Sequence, residues 1–114
     1  MIKVGFIRSE DLNCEALVLL DVESGDTIEI QRSIVEDDAQ AVSLGQDTYA
    51  IVRDASAVHY GGLAQFEVQR NVLVLDLEPG AASVLELPDR VELVVDDAGI
   101  SIIEQHLPRL LARE

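Results

Sequence analysis

The sequence predicts an α+β domain, with a mainly antiparallel sheet, one short helix and a C-terminal amphipathic helix. Two observations carry this reading. Short segments of alternating apolar residues follow one another along most of the chain. Helical spacing then takes over at the C-terminal end, an order that argues against a parallel, Rossmann-like sheet.

Ile2 to Ile7 and Ala16 to Val22 are rich in β-branched and aliphatic residues, and Glu10 to Asn13 between them are turn formers. They read as two strands. After a turn at Glu23 to Asp26, Thr27 to Arg32 alternates with Ile28 and Ile30 on one face, as a half-buried strand requires. From Ile34 to Leu44 the pattern becomes a short helical turn inside a loop: Asp37 suits an N-cap, Ala39 to Val42 favour helix, and Gly45 suits a left-handed stop. Asp47 and Thr48 are placed to bond local backbone, and Tyr49 to Arg53 resumes as a strand with Tyr49 and Ile51 on one side.

Gly61-Gly62 reads as a bulge or bend between strands. Leu63 to Gln69 and Asn71 to Leu77 then form an antiparallel pair turning at Arg70-Asn71. Pro79 suits the first position of a helix running to Leu87, and Pro88 prevents its continuation. Val91, Leu93 and Val95 make a last strand. Ile100, Ile103, Leu107, Leu110 and Leu111 form the stripe of the final helix, with His106 at its solvent edge. Leu73, Leu75, Leu77 and Leu107 are the expected core.

The chain has 114 residues, the size of a single domain spanning 1–114, and 48% of them are hydrophobic, enough for a core without disulfides or metal. Asp and Glu number 22 against 8 Lys and Arg, giving a net charge of −14. The carboxylates are interleaved with apolar residues, so the folded surface itself is acidic. Such a surface repels phosphates and anionic lipid and attracts basic partners. With no basic stripe and few aromatics, nucleic-acid binding is not expected. No apolar run reaches the ~18 residues of a membrane span, no secretory leader is visible at the N-terminus, and Cys14 has no cysteine to pair with. A cytoplasmic protein is expected.

Catalysis needs convergent groups, and the candidates Cys14, His59, His106 and Asp47 form no motif. Glu36-Asp37-Asp38 lacks the alternating ligands and glycine of a calcium loop, and Gly61-Gly62 has no Walker lysine or following helix. The expectation is a protein without enzymatic activity, metal or cofactor. A hydrolase built on Cys14 and His59 is the catalytic rival.

Three blocks remain: Gln31-Arg32-Ser33, Gly45-Gln46-Asp47-Thr48-Tyr49 and Tyr60-Gly61-Gly62. In this order and approximate spacing, the chain resembles immunity protein family ten of bacterial polymorphic toxin systems. The likeness continues through Arg70-Asn71, Ala81-Ala82, Leu87-Pro88 and the terminal helix, covering the chain from about residue 26 onward. The resemblance implies a cytoplasmic antidote that binds a cognate protein toxin domain. Expected contact residues are Glu36, Asp37, Asp38, Gln46, Asp47 and Tyr60, with Gly45, Thr48, Gly61 and Gly62 shaping the loops and Arg32 anchoring the acidic loop by an internal ion pair. The alternative is an acidic regulator or nucleic-acid mimic that occupies a basic groove.

Overall fold

A computed structural model of the chain describes residues 1–34 and 49–111. The expected helical turn between Ile34 and Leu44 lies almost wholly outside the described residues. Strands β1 (Ile2–Ser9), β2 (Cys14–Asp21), β3 (Thr27–Ser33), β4 (Ala50–Arg53) and β5 (Ala57–Tyr60) form one antiparallel sheet in sequence order. Strands β6 (Leu63–Gln69), β7 (Val72–Leu77) and β8 (Arg90–Val94) form a second. Helix α1 (Pro79–Leu85) lies between β7 and β8, and α2 (Asp97–Leu111) follows β8. The architecture is the expected α+β class, with two sheets where the sequence suggested one. β5, to which sequence reasoning assigned no strand, is only four residues long and ends at the glycine pair.

The first sheet has two chemically different faces because its register is regular. Val4, Phe6 and Arg8 on β1 stand beside Leu19, Leu17 and Glu15 on β2. Leu17 and Leu19 in turn face Ile30 and Ile28, and Ile30 faces Ile51. Side chains in such rows share one side of the pleat, and this side is the core. Leu17, Leu19, Ile28, Ile30, Tyr49 and Ile51 pack there with Leu73, Leu75, Leu77 and Val91 of the second sheet and with Ile100, Ile103, Leu107 and Leu110 of α2. The predicted core residues Leu73, Leu75, Leu77 and Leu107 are all buried. Each contributes roughly 1.5–3 kcal/mol through area removed from water.

The two sheets touch at both ends. Ile2 makes a parallel bridge with Val95 just after β8. At the other end, Leu63 N–H donates to the Tyr49 hydroxyl at 2.9 Å.

Pro79 opens α1 as expected, but the helix stops at Leu85, two residues earlier than its sequence suggests. Glu86 adopts a left-handed conformation (φ 54, ψ 44). Its N–H reaches Ser83 O at 3.3 Å, and Leu87 N–H reaches Ala82 O at 2.9 Å, the paired bonds of a Schellman stop. Arg53 completes the cap from β4 by donating to Leu85 O at 2.9 Å and Glu86 O at 2.6 Å. A cation at the negative end of the helix dipole therefore ties the first sheet to α1. The hairpin at Arg70-Asn71 is present, with Arg70 taking the positive φ of 56.

Candidate partner-binding site

Of the residues proposed from sequence, the described ones, Arg32, Tyr60, Gly61 and Gly62, lie toward one end of the five-stranded sheet. Ser9, Cys14 and Ser33 share a cross-strand row there, followed by the row of Gln31, Ala50 and Tyr60. Glu36, Asp37, Asp38, Gly45, Gln46, Asp47 and Thr48 lie outside the described residues, but both flanks of their segment are fixed at this end. Ile34 N–H donates to Asn13 O at 3.3 Å, tying one flank to the β1–β2 turn. Gly61 N–H donates to Tyr49 O at 2.8 Å, tying the other to the glycine turn. The β1–β2 turn adds exposed Glu10 and Asp11, together with Leu12, which is 79% exposed.

Tyr60 is 44% exposed on the side of the sheet away from the core. Gly61 (φ 70) and Gly62 (φ 98) both need backbone that L-residues rarely adopt, and they make the passage from the first sheet to the second. A Cβ on Gly62 would fall 2.5 Å from Ala81 Cβ and 2.8 Å from His59 Nδ1. The glycine pair is thus a sheet-to-sheet turn pressed against α1, and it sets where Tyr60 is presented.

Arg32, expected to anchor the acidic loop, donates to Leu110 O at 2.9 Å, near the C-terminal end of α2. A second arginine there makes a contact no sequence pattern announced. Arg109 Nη1 donates to Glu15 Oε1 at 2.9 Å, while Nη2 lies 2.8 Å from Oε2. Arg8 Nη1 stands 3.5 Å from the same Oε2, which lacks a partner in hydrogen-bonding geometry. Glu15 is the one buried charged side chain among the described residues, and the Arg109 guanidinium holds its carboxyl below the usual carboxylate range, opposing the effect of burial.

His106 is half-buried instead of facing solvent. Its ring stacks on Phe6 at 3.7 Å between centroids, and its Nδ1 lies 3.3 Å from Arg109 Nη2. Arg109 also sits 5.6 Å from the Phe6 ring centre. The cluster clamps α2 onto β1 and β2.

The geometry removes the Cys14 hydrolase. Cys14 points to the outer side of β2, while His59 points to the core side of β5, with β3 and β4 between them. Burial and the carboxylate of Glu29 push the Cys14 thiol up, away from a reactive thiolate. His106 also lies on the core side, across the sheet from Cys14. No group of three or more His, Cys, Asp or Glu among the described residues is arranged to hold a metal ion. No described helix is long and apolar enough to cross a membrane. A surface depression of about 360 Å³ lies at the opposite end of the sheet, lined by Met1, Ile2, Val4, Val22 and Ile102, with Lys3 and Asp96 as its charged members.

Fold and site together define a small acidic α+β domain that exposes Tyr60 and the β1–β2 turn at one end of its five-stranded sheet. The chain belongs to the Immunity protein 10 family, whose family model matches residues 2–101. The match includes β1 and β2, which the sequence blocks left out, and ends within α2. Neither the curated proteins nor the solved structures searched include a significant match.

Proposed function

We propose that this chain is the antidote to a cognate bacterial toxin domain and neutralises it by binding and occlusion, without catalysis, in the cytoplasm. The observation that carries the reading is membership of the Immunity protein 10 family over residues 2–101. The contact surface in this reading is the end of the five-stranded sheet: the Glu36-Asp37-Asp38 and Gln46-Asp47 segment, Tyr60, and the β1–β2 turn. Loops on a rigid scaffold are where recognition residues concentrate.

The distribution of charge supports a basic partner. Arg8, Arg53, Arg90 and Arg109 are engaged with Glu10, Asp54, Asp76 and Glu15 of the same chain, and Arg32 with a helix carbonyl. Their positive charge is spent internally, which leaves most of the 22 carboxylates to set the surface potential of a chain with net charge −14. A field of this sign steers a basic protein and speeds capture.

The test is co-expression with the product of the gene immediately upstream, the expected toxin, followed by purification of the pair. Restored growth and a stable complex are expected. Growth arrest undiminished by the chain, with no complex formed, would overturn the reading.

A further inference from the structure

Among the described residues, β1 is an edge strand with unused hydrogen-bonding capacity. The pairing of Val22 N–H with Met1 O, and of Ile34 N–H with Asn13 O, sets the phase of the ladder. Lys3, Gly5, Ile7 and Ser9 bond to β2, so the backbone groups of Ile2, Val4, Phe6 and Arg8 point away from it. Ile2 is taken by its bridge to Val95. Val4, Phe6 and Arg8 offer N–H and C=O groups to an incoming strand.

Gly5, in the middle of this edge, is a second observation. A Cβ there would meet nothing within 4 Å, so the fold of the single chain does not require glycine. Glycine weakens a strand interior and marks places where another backbone comes close. On the same outer side of β1, Ile7 is 58% exposed.

We infer that β1 pairs antiparallel with β1 of a second copy of this chain, about a two-fold axis at Phe6. Only this register uses all three free positions on both strands: Val4 opposite Arg8 of the second copy, Phe6 opposite its counterpart, and Arg8 opposite Val4. Each such pair exchanges two backbone bonds. The same register sets Gly5 against Ile7 of the second copy in the closer, non-hydrogen-bonded type of pair. The vacant space at the glycine receives the exposed isoleucine, twice by symmetry.

Electrostatics permits the approach despite the charge of −14, because β1 carries Lys3 and Arg8 and no carboxylate. Arg8 is already paired with Glu10 and Glu15, and Lys3 falls opposite the uncharged Ser9 of the second copy. The inference is independent of the toxin-binding reading.

Sedimentation and amide exchange on the purified full chain test it. The mass should rise with concentration from 12.4 kDa toward twice that value. Over the same range, exchange at Val4, Phe6 and Arg8 should slow, while Gly5 and Ile7 stay protected throughout. Ile7→Lys and Gly5→Val should both keep the wild-type circular dichroism and, at concentrations where the wild type is monomeric, its melting behaviour, yet stay monomeric where the wild type dimerises. A wild-type chain that stays monomeric up to its solubility limit overturns the inference. So does a dimer that persists in both variants. Protection of Val4, Phe6 and Arg8 that appears only with the product of the upstream gene would overturn the inference and assign the edge to a strand of that protein.

Discussion

Arg109→Met isolates the contribution of Glu15, the one buried carboxylate among the described residues. The substitution keeps much of the side chain's apolar stem against Phe6 but leaves Glu15 buried with Arg8, 3.5 Å away, as its nearest cation. Breaking a fully buried ion pair costs roughly 3–5 kcal/mol. Here the Arg109 side chain is 50% exposed, so part of its attraction is screened by water and the expected loss falls to about 2 kcal/mol. At roughly 4 °C per kcal/mol for a chain of this size, the melting temperature should drop by about 8 °C.

The pH dependence follows from the lowered pKa of Glu15. Its stabilisation is fully present above the usual carboxylate range and is lost as pH falls through the lowered value of the folded state. The gap between wild type and Arg109→Met should therefore close in acid. Combining Arg109→Met with Glu15→Leu should recover part of the loss, because no charge then stays buried without its partner. Thermal melts monitored by circular dichroism at neutral and acid pH provide the assay. Equal melting temperatures at neutral pH, or a gap that persists unchanged in acid, would refute the reasoning.

Gly62→Ala should destabilise by more than about 2 kcal/mol in chemical denaturation, since left-handed backbone and the clash with Ala81 act together. Glu86→Gly should stabilise by about 0.5 kcal/mol in the same assay, because glycine relieves the left-handed strain at the end of α1 more than it costs in unfolded-state entropy. Joint substitution of Glu36→Gln, Asp37→Asn and Asp38→Asn should slow association with the toxin domain at low ionic strength and flatten its salt dependence, measured by stopped-flow or surface binding. An unchanged rate would move the interface away from that segment.

The sequence made legible those elements whose signal is local. Ile28 and Ile30 alternate cleanly, and the Ile100 to Leu110 stripe repeats at helical spacing, so β3 and α2 follow from periodicity alone. β5 escaped because Ala57 to Tyr60 is too short to show a period, and its pairing with β4 is a tertiary fact. The glycine pair announced a bend, yet nothing local says that the bend passes between sheets. Glu15 was unreadable for the same reason: its partner Arg109 lies 94 residues away. For the site, register unites Tyr60, Gly61 and Gly62 with the flanks of the acidic segment. Arg32 also meets a partner that no local pattern announces, the Leu110 carbonyl 78 residues away.

The clamp between Arg109 and Glu15 has a consequence for how the chain becomes competent during translation. All strands of the first sheet have been synthesised once the ribosome has delivered Tyr60, but the apolar side of β1 and β2 is covered in the finished fold by the second sheet and, last of all, by α2. At about 5–20 residues per second, the 94 residues from Glu15 to Arg109 take roughly 5–20 s to synthesise. Through that interval Leu17 and Leu19 lack their helical cover. Each molecule can thus emerge with the strands of its first sheet laid down early, yet reach a stable fold only when the last helix docks.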